Sequence, residues 1–511
     1  MKLPWPKGRK RPGPAAESAL ATLAVVVGVG VVLSIVTIVP ANSSNSGGQL
    51  AEQPGVTAPG VVGPSAGTGP ANPNTSNKSR TGSGAGASTQ TTTGGGAPPV
   101  AGLACAGGKN GGSTDVGVSG SSIKLAATVV DDGPGASFLA PVRIAMTAVK
   151  DQVNHSGGIC GRTLDLELRN DSWQANTGCQ FVKNFVQGDR VFALAVVPSS
   201  EGLRACDSYI QQQGVPVVGS DGMLIHQYRN PWIWPVATST ISTMHVMAKN
   251  AYGRGARTFG LVFDAKYHFG VEGAYAYDKA VKRLTGKDIA GFDPSLKSCR
   301  QDFCGIQPGQ ASYATEANSF DGSCYGAHGC DFVGYLLEPD TALSFIGAEH
   351  HTGNAQDGYG GAQPLFTRPF AEACGQACDQ MWLWTGYTPP LGSFLGTSGV
   401  ASYVNTIRNE SSSADVDNQF LEGGYVGMQL LVKALQTVGP DVTRARLKAT
   451  LDSLTFSSGL SQPLRWRPGQ HFANTAAMAW EIEYSQSFSG WRNMTGFLAD
   501  PWVGQDIPSG E

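Results

Sequence analysis

The sequence predicts an α/β fold of two lobes, each a mainly parallel sheet flanked by helices. Between Val116 and Gly222, short apolar strands alternate with amphipathic helices and end in small or acidic loop residues. Residues 191–197 show no polar alternation, which is typical of a central parallel strand that helices cover on both faces. A chain of 511 residues is too long for one average domain, so we expect two lobes of ordinary size.

The first lobe begins with a strand, a loop and a helix. Residues 123–130 are almost wholly apolar and precede the flexible loop 131–135, so they predict a buried strand. Apolar residues at helical spacing from Phe138 to Val153 predict a helix that ends near Gly157. Leucines 164, 166 and 168 alternate with polar residues, which predicts a half-exposed edge strand. This order implies right-handed crossovers and a binding crevice at the carboxyl ends of the strands.

The second lobe is expected to begin after Pro235. A helix through Met244 and Ala251 should stop at Gly253, and a strand over 258–263 and a helix over 271–284 should follow. Residues 293–330 hold four cysteines and few long apolar runs, which indicates a disulfide-tied insertion. The remaining predicted elements are strands at 332–337 and 478–484 and helices at 341–350, 398–409, 419–438 and 441–454.

The N-terminal part predicts a membrane anchor and a linker. Residues 1–17 form a basic tail, and residues 18–40 contain an uncharged apolar run of about the length that crosses a membrane as a helix. Positive residues before this run place the N-terminus in the cytoplasm and the rest outside; a cleaved signal peptide is the alternative. Residues 41–114 are rich in Gly, Ser, Thr and Pro, which predicts a disordered linker.

The two-lobed domain is therefore expected over residues 115–511. Because the chain should cross between the lobes more than once, each lobe is assembled from two segments. Lobe 1 is placed at about 115–238 and 386–455, and lobe 2 at about 239–385 and 456–511.

Charge and motifs argue against two classes of function. The net charge is -3, and the predicted folded part has no basic stripe, so we expect no nucleic acid partner. The sequence has no P-loop, no HExxH zinc motif and no GxGxxG motif after a strand. His350 and His351 are adjacent and would point to different sides of a helix. We therefore expect a binding protein without catalytic residues, a metal site or a cofactor.

Acidic residues follow many of the predicted strands: Asp131, Asp132, Asp171, Asp221, Asp264 and Glu338. If several of them reach the cleft, the ligand should carry an amine or several hydroxyls, because buried carboxylates need partners. The alternative for each is a solvated acid or one that bonds its own backbone. Trp173 also follows a predicted strand; it could stack on a ligand ring, or it could pack in the core.

An ordered set of segments resembles the type I periplasmic solute-binding proteins, in the branched-chain amino acid group that serves ABC transporters. The set includes Gly117–Ala126, AVKDQVNHSGGICGR at 148–162, GVPVV at 214–218, RTFGLVFD at 257–264, the Phe269-Gly270 turn and DFVGY at 331–335. The resemblance covers roughly the last four-fifths of the chain. It implies two α/β lobes joined by a hinge of crossing strands, which close on a small ligand.

The resemblance also implies site residues. In the family, a hydroxyl and a backbone NH at the start of the third helix hold a ligand carboxylate, which matches Ser199 or Ser200 here; a helix N-terminus suits an anion. The alternative is that Ser200 only caps its helix. Ser220 and Asp221 match a loop that makes further polar contacts, and Phe269 with Tyr267 forms an aromatic wall.

One departure concerns the acid that faces the ligand ammonium in the branched-chain amino acid binders. The sequence offers Thr367 or Arg368 there, while Glu338 lies on another loop. This disfavours leucine, isoleucine and valine as ligands.

All ten cysteines lie beyond the apolar run, which points to an oxidising compartment. The family often places a disulfide where Cys179 and Cys206 lie. The other proposed pairs are Cys299 with Cys304, Cys324 with Cys330, Cys374 with Cys378, and Cys105 with Cys160, although sequence does not fix connectivity. A zinc site among cysteines 299–330 and His328 is an alternative that the missing CxxC spacing disfavours.

The sequence thus predicts a membrane-tethered, extracytoplasmic solute-binding protein. It would capture a small polar ligand, an amino acid, amide or amine-like compound, and deliver it to an ABC permease in the same membrane. The alternative is a ligand sensor of the same fold that reports closure to another membrane or regulatory partner without transport.

Overall fold

The computed structural model describes residues 110–290, 292–293, 298–299, 305–324, 330–352, 358–468 and 470–509. Within these ranges, no helix is both long enough and apolar enough to cross a membrane. The predicted anchor at 18–40 and most of the predicted linker lie outside the described residues. Residues 110–114, at the end of the predicted linker, contact the first lobe, where Arg162 donates to the carbonyl of Gly112 at 2.8 Å.

The chain first alternates strands and helices up to residue 234. The elements are β1 (Ser122–Val129), α1 (Ala136–Leu139), α2 (Val142–His155), β2 (Thr163–Asn170), α3 (Ala175–Gln187), β3 (Ala193–Val197), α4 (Ser200–Ala205), α5 (Asp207–Gln213), β4 (Val217–Ser220), α6 (His226–Arg229) and β5 (Ile233–Trp234). The five strands pair in parallel in the order β2-β1-β3-β4-β5. As predicted, β2 is a half-exposed edge strand and β3 is central and wholly buried. The helix predicted from Phe138 is split at Pro141, because proline has no NH to continue the ladder.

The next part of the chain builds most of the second lobe. Its elements are α7 (Thr240–Arg254), β6 (Phe259–Asp264), α8 (His268–Thr285), β7 (Phe292–Asp293), β8 (Ser298–Cys299), β9 (Gly305–Ile306), α9 (Ala314–Cys324), β10 (Phe332–Leu336), α10 (Pro339–Thr352), β11 (Tyr359–Gly361), α11 (Arg368–Cys374) and β12 (Trp382–Thr385). Three short 3-10 turns lie at Gln363–Leu365, Gly375–Cys378 and Gly392–Gly396.

The chain then returns to the first lobe and crosses again. Its last elements are α12 (Ser398–Glu410), α13 (Gln419–Val438), α14 (Arg444–Ser453), β13 (Thr455–Phe456), β14 (Leu464–Arg465), β15 (Ala476–Tyr484), β16 (Phe488–Asn493) and β17 (Leu498–Ala499). Helices α12 and α13 pack on α2, and α13 also covers β3 and β4. The second sheet has the order β16-β15-β12-β11-β10-β6-β9, in which β9, β6, β10, β11 and β12 are parallel and β15 and β16 are antiparallel. The structure thus has the predicted α/β fold of two lobes.

Two further details differ from the prediction. Helix α7 continues through Gly253 and ends before Gly255, which has a φ of 124°; a glycine inside a helix is tolerated, and the positive φ is what ends it. The predicted insertion is not only a tied loop. Its residues Gly305–Ile306 add an edge strand beside β6, and α9 packs against α10.

The hinge between the lobes is held by hydrogen bonds among three crossing segments. The hydroxyl of Thr238 donates to the carbonyl of Ala476 at 2.7 Å, and Asn474 Nδ2 donates to the carbonyl of Gly386 at 3.0 Å. A Cβ on Gly386 would lie 2.5 Å from Thr238 Oγ1, so glycine permits this close approach. The three crossing segments are therefore closely packed where the two lobes join.

Three of the predicted disulfides are present. Cys179 is bonded to Cys206, Cys324 to Cys330, and Cys374 to Cys378. Cys160 is also disulfide-bonded, and its predicted partner Cys105 lies outside the described residues. Because Cys324 and Cys330 are joined, their thiolates are not available to the zinc site considered from the sequence.

Candidate functional site

The cleft is formed by loops that follow parallel strands of the two sheets. From the first lobe come the loops after β1, β2, β3 and β4, and from the second lobe come those after β6, β10 and β11. Polar and aromatic groups from both sets face each other there, which is the usual position of a ligand site in such sheets. The site has three parts: an inner cavity near the hinge, an aromatic stack across the cleft, and an outer pocket.

The inner cavity has a volume of about 10 Å³, which is about the space that one water molecule needs. Val142 and Phe420 give it an apolar wall. Its polar lining comes from the end of β4, from the hinge and from the turn after β11, through Ser220, Asp221, Thr238, Tyr387 and Gln363.

Asp221 is held in this cavity by groups of its own lobe. Its Oδ2 accepts the backbone NH of Ser200 at 3.2 Å, and its Oδ1 accepts Gln227 Nε2 at 2.8 Å and the NH of Met223 at 3.3 Å. Burial raises the pKa of the Asp221 carboxyl to about 7, while these hydrogen bonds oppose the rise. The first NH of α4, which the resemblance assigned to a ligand carboxylate, is therefore bonded to a carboxylate of the protein itself.

The serines predicted for the site are buried around this network. Ser220 Oγ donates to Gln227 Oε1 at 2.5 Å, and the same oxygen accepts the NH of Gly222 at 3.0 Å. Ser199 and Ser200 are fully buried, and neither residue's side chain caps α4. The alternative that Ser200 serves only as a helix cap is therefore wrong. Ser200 contacts Asp221 through the hydrogen bond that its backbone NH donates.

The aromatic stack joins the two lobes. Trp173, in the turn after β2, stacks on Tyr267 with ring centroids 4.3 Å apart, and its ring is 5.9 Å from that of Phe269. Phe138 packs edge-on against Trp173 and also contacts Phe420 of the inner cavity. Three of the predicted site residues are thus brought together by contacts between the two lobes.

The backbone at Trp173 is strained. Ser172 and Trp173 have φ values of 53° and 59°, and the left-handed region is unfavourable for residues with a Cβ. The turn is held by Asp171, whose Oδ1 accepts the NH of Trp173 at 2.9 Å. Burial raises the pKa of Asp171 to about 6. Strain of this kind is concentrated at functional sites, and here it places the indole against the opposite lobe.

Polar contacts also cross the cleft. Glu201 of α4 accepts the backbone NH of His268 at 3.0 Å, and its other oxygen lies 2.7 Å from the ring Nδ1 of His268. On the other side, Arg368 pairs with Asp417 at 2.9 Å. These contacts connect the start of α8 and the start of α11 to the first lobe, so the lobes are in a closed arrangement.

The outer pocket lies beside the insertion and has a volume of about 400 Å³. Gly133 and Pro134 line it from the first lobe, and Lys266, Tyr313 and Glu338 line it from the second. Glu338 is buried and caps α10, since its Oε1 accepts the NH of Thr341 at 2.7 Å and its Oε2 the NH of Asp340 at 3.0 Å. Asp132 is exposed on the loop after β1 and is not among the residues that line these cavities.

The acids that follow the strands therefore divide into two groups. Asp171 and Glu338 bond nearby backbone groups, Asp264 accepts the NH of Glu338 at 2.8 Å, and Asp131 pairs with Arg143 at 2.7 Å. Asp221 alone among the six lines the inner cavity. Thr367 caps α11 by accepting the NH of Phe370. Most of these acids thus follow the alternative in which a loop acid bonds its own surroundings.

Sequence reasoning missed several polar residues in or beside the inner cavity. Gln227 orients Asp221, whereas Gln363 and Tyr387 line the cavity from the second lobe and the hinge. Gln363 Nε2 donates to the carbonyl of Thr238 at 2.8 Å, which fixes its amide. No periodic pattern marks these residues, although a glutamine two residues after the Gly360-Gly361 strand end was a usable signal for Gln363.

Comparisons with known proteins agree with this architecture. A family model described as periplasmic binding protein matches residues 122–487. No curated protein shows significant sequence similarity to the chain.

Several solved structures share the fold at low sequence identity. A branched-chain amino acid ABC transporter protein from Thermus thermophilus with bound valine is 14% identical, with a TM-score of 0.64, and the match covers 74% of this chain and 97% of that one. A fatty acid ABC transporter substrate-binding protein from Thermomonospora curvata is 16% identical, with a TM-score of 0.63, and covers 76% and 95%. A possible leucine/isoleucine/valine-binding protein from Rhodopirellula baltica SH 1 is 13% identical, with a TM-score of 0.63, and covers 73% and 96%. Since the family match spans more than half of the sequence and the two-lobed architecture agrees with it, this chain belongs to the periplasmic binding protein family, in its type I form.

Proposed function

We propose that the protein is an extracytoplasmic solute-binding protein that captures a small polar ligand, an amino acid, amide or amine-like compound, for an ABC importer. The observation that carries this proposal is the cleft itself, where Trp173 of one lobe stacks on Tyr267 of the other and loops of both lobes line a cavity that holds Asp221. A ligand that binds between the lobes would stabilise their closed arrangement.

The proposed ligand site combines the inner cavity with the aromatic stack. Ser220 and Asp221 would supply polar contacts, with Ser199 and Ser200 behind them. Trp173, Tyr267 and Phe269 would contact the body of the ligand. Glu338 and Asp132 would lie at the outer rim, where they could attract a ligand before closure. The solved structure of the same fold with bound valine supports a small organic ligand in this fold.

The membrane partner would recognise the closed form of the protein. The hinge at Thr238, Gly386 and Asn474 allows the lobes to rotate as units. A permease that contacts both lobes would bind the closed form best, so capture would be linked to delivery. The proposed anchor at 18–40 and linker at 41–114 would keep the head near that permease.

A thermal-shift screen tests the proposal. The full chain, purified in detergent under oxidising conditions, would be screened against amino acids, amides, amines, sugars and carboxylic acids. A ligand at a hundred times its dissociation constant should stabilise the folded state by about 2.7 kcal/mol. A ligand found in this way should also reduce the radius of gyration measured by small-angle X-ray scattering. A folded sample that no compound stabilises would contradict the proposal.

A further inference from the structure

The inner cavity already contains a carboxylate of the protein. Asp221 is 8% exposed, and the Ser200 NH, the Met223 NH and the Gln227 amide all donate to it. These three donors stabilise the ionised form of the carboxyl and oppose the effect of burial, which raises its pKa to about 7. A ligand carboxylate placed beside it would meet a like charge and would find the nearest backbone NH already bonded.

Two further oxygen atoms in the cavity have no protein donor. Gln363 Oε1 and Tyr387 Oη line the cavity from the second lobe and the hinge, and neither has a hydrogen-bond partner among the described residues. Both side chains are at least nine-tenths buried, with 4% and 2% exposure. Buried polar atoms usually have partners. The amide oxygen of Gln363 can only accept, so it points to a ligand that donates a hydrogen bond, and the hydroxyl of Tyr387 can accept one as well.

The ionisable groups at the cavity are acids and a phenol, with no basic side chain. Among the described residues, none that lines it is lysine, arginine or histidine. Tyr387 lies in the field of two buried acids, Glu422 and Asp221, and its pKa is raised by burial and by both of these charges. A low-dielectric cavity with acids and no base favours a cationic group over an anionic one.

We propose that the inner cavity binds the ammonium head of an organic amine that has no carboxylate at that end. This inference rests on the proposed solute-binding function and names the class of ligand. An ammonium group has three donors, which match the carboxylate of Asp221, the amide oxygen of Gln363 and the hydroxyl of Tyr387. The volume of about 10 Å³ suits a head group, not a whole ligand.

The body of the amine would lie toward the aromatic stack. Phe420 lines the cavity, and its ring centroid is 5.1 Å from that of Phe138, which in turn packs on Trp173. These packed rings connect the cavity to the stack. An apolar or aromatic body would lie against the faces of Trp173 and Tyr267 once the lobes separate, and the rings would favour a nearby cation.

Matched ligand series test the inference by calorimetry on the full chain. One series is 3-methylbutylamine, leucine and 4-methylpentanoate, and the other is 2-phenylethylamine, phenylalanine and 3-phenylpropanoate. In each series the body is constant, and only the amine and the carboxylate change. We expect the amine to bind best and the acid not to bind, with a difference of about tenfold or more, as for loss of a charge-assisted hydrogen bond.

Two variants test whether the preference for amines arises at the inner cavity. Asp221→Asn should weaken amine binding about tenfold or more. Tyr387→Phe should weaken it about threefold without lowering the unfolding temperature, because the hydroxyl it removes has no protein partner. Asp165→Asn, on the exposed face of β2, is the matched control and should bind like the parent.

The outcomes separate the inference from the function on which it rests. Tighter binding of the acids, or an unchanged preference in a folded Asp221→Asn variant, would overturn the inference and leave a solute-binding protein. Binding by other compounds of the screen but by no amine would do the same. If a folded sample binds nothing at all, both the inference and the proposed function fail.

Discussion

The two sides of the cleft are stabilised in different ways. On the first lobe, Asp221 is fixed by Ser200, Met223 and Gln227 of the same lobe, so this network is complete before the lobes meet. On the second lobe, at the start of α8, Tyr267 stacks on Trp173 of the first lobe. The ring of His268 forms a hydrogen bond with Glu201 of the first lobe. We infer that the first lobe holds a polar site that is formed before closure, whereas the second lobe supplies the surface that closes over it.

The largest expected effect comes from removing the aromatic contact between the sides. Trp173→Ala deletes a buried indole that packs on Tyr267, Phe269 and Phe138, so we expect a loss of about 3 kcal/mol in the free energy of unfolding. The lobes should also separate, because the stack crosses the cleft. Urea unfolding measures the first effect, and small-angle X-ray scattering measures the second as a larger radius of gyration.

Trp232→Ala is the control for this variant. Trp232 is partly buried beside Gly214 on the first lobe, and it is not among the residues of the stack. It should lower stability less and leave the radius of gyration unchanged. If Trp173→Ala stays as compact as the parent, the stack does not hold the lobes together.

The second largest expected effect concerns the pH dependence of the free energy of unfolding that is due to Asp221 on the first lobe. The Asp221 carboxyl has an ordinary pKa of 3.8, which burial raises to about 7 in the folded protein. Between these values the folded state keeps a proton that the unfolded state has lost, so stability falls as the pH rises through this window. Asp221→Asn cannot ionise, and its free energy of unfolding should therefore fall less over the same window.

Urea unfolding at several pH values measures the difference in slope between the two proteins. Asp171, Asp278 and Asp415, whose pKa values are raised to about 6 by burial, titrate in both proteins and cancel in the comparison. A constant offset of about 1 kcal/mol is also expected, because the amide cannot accept the Ser200 NH and the Gln227 amide equally well. Equal slopes would show that Asp221 is ionised at low pH in the folded protein.

The difference between the two sides also decides what the sequence could predict. The first sheet was predictable because an apolar run such as 191–197 has one stable position, the centre of a parallel sheet. Ser220 and Asp221 could be named because they directly follow such a strand. The strand Gly305–Ile306 has no periodic pattern and is too short to have one, so only its pairing with β6 defines it.

The remaining site residues depend on tertiary structure. Gln363, Tyr387 and Thr238 meet at one cavity although more than a hundred positions separate Thr238 from Gln363, and no local rule brings such residues together. Trp173 and Tyr267 were each plausible as site residues, but their contact depends on how far the lobes close. Acids such as Glu338 were over-predicted, since a carboxylate after a strand can equally well cap the next helix.

The smallest effect tests the polar contact of the closing side. Glu201 is 8% exposed at its side chain, and it bonds both the backbone NH and the ring of His268. Glu201→Gln keeps the shape but removes the charge, so we expect it to weaken the closed arrangement by about 1 kcal/mol. Ligand affinity should fall about fivefold, whereas the pH slope due to Asp221 should not change.

Glu167→Gln is the matched control, because Glu167 pairs with Arg169 on the edge strand of the same lobe and should change stability by no more than about 0.5 kcal/mol. Calorimetry with a ligand from the screen compares the two variants. If the Glu201→Gln and Glu167→Gln variants bind the ligand with equal affinity, closure depends on the aromatic stack alone, and the polar contact at the start of α8 does not stabilise the closed form. If Glu201→Gln instead changes the pH dependence of stability that is due to Asp221, the two sides of the cleft are coupled before closure. The first lobe would then not hold a site that forms independently of the second.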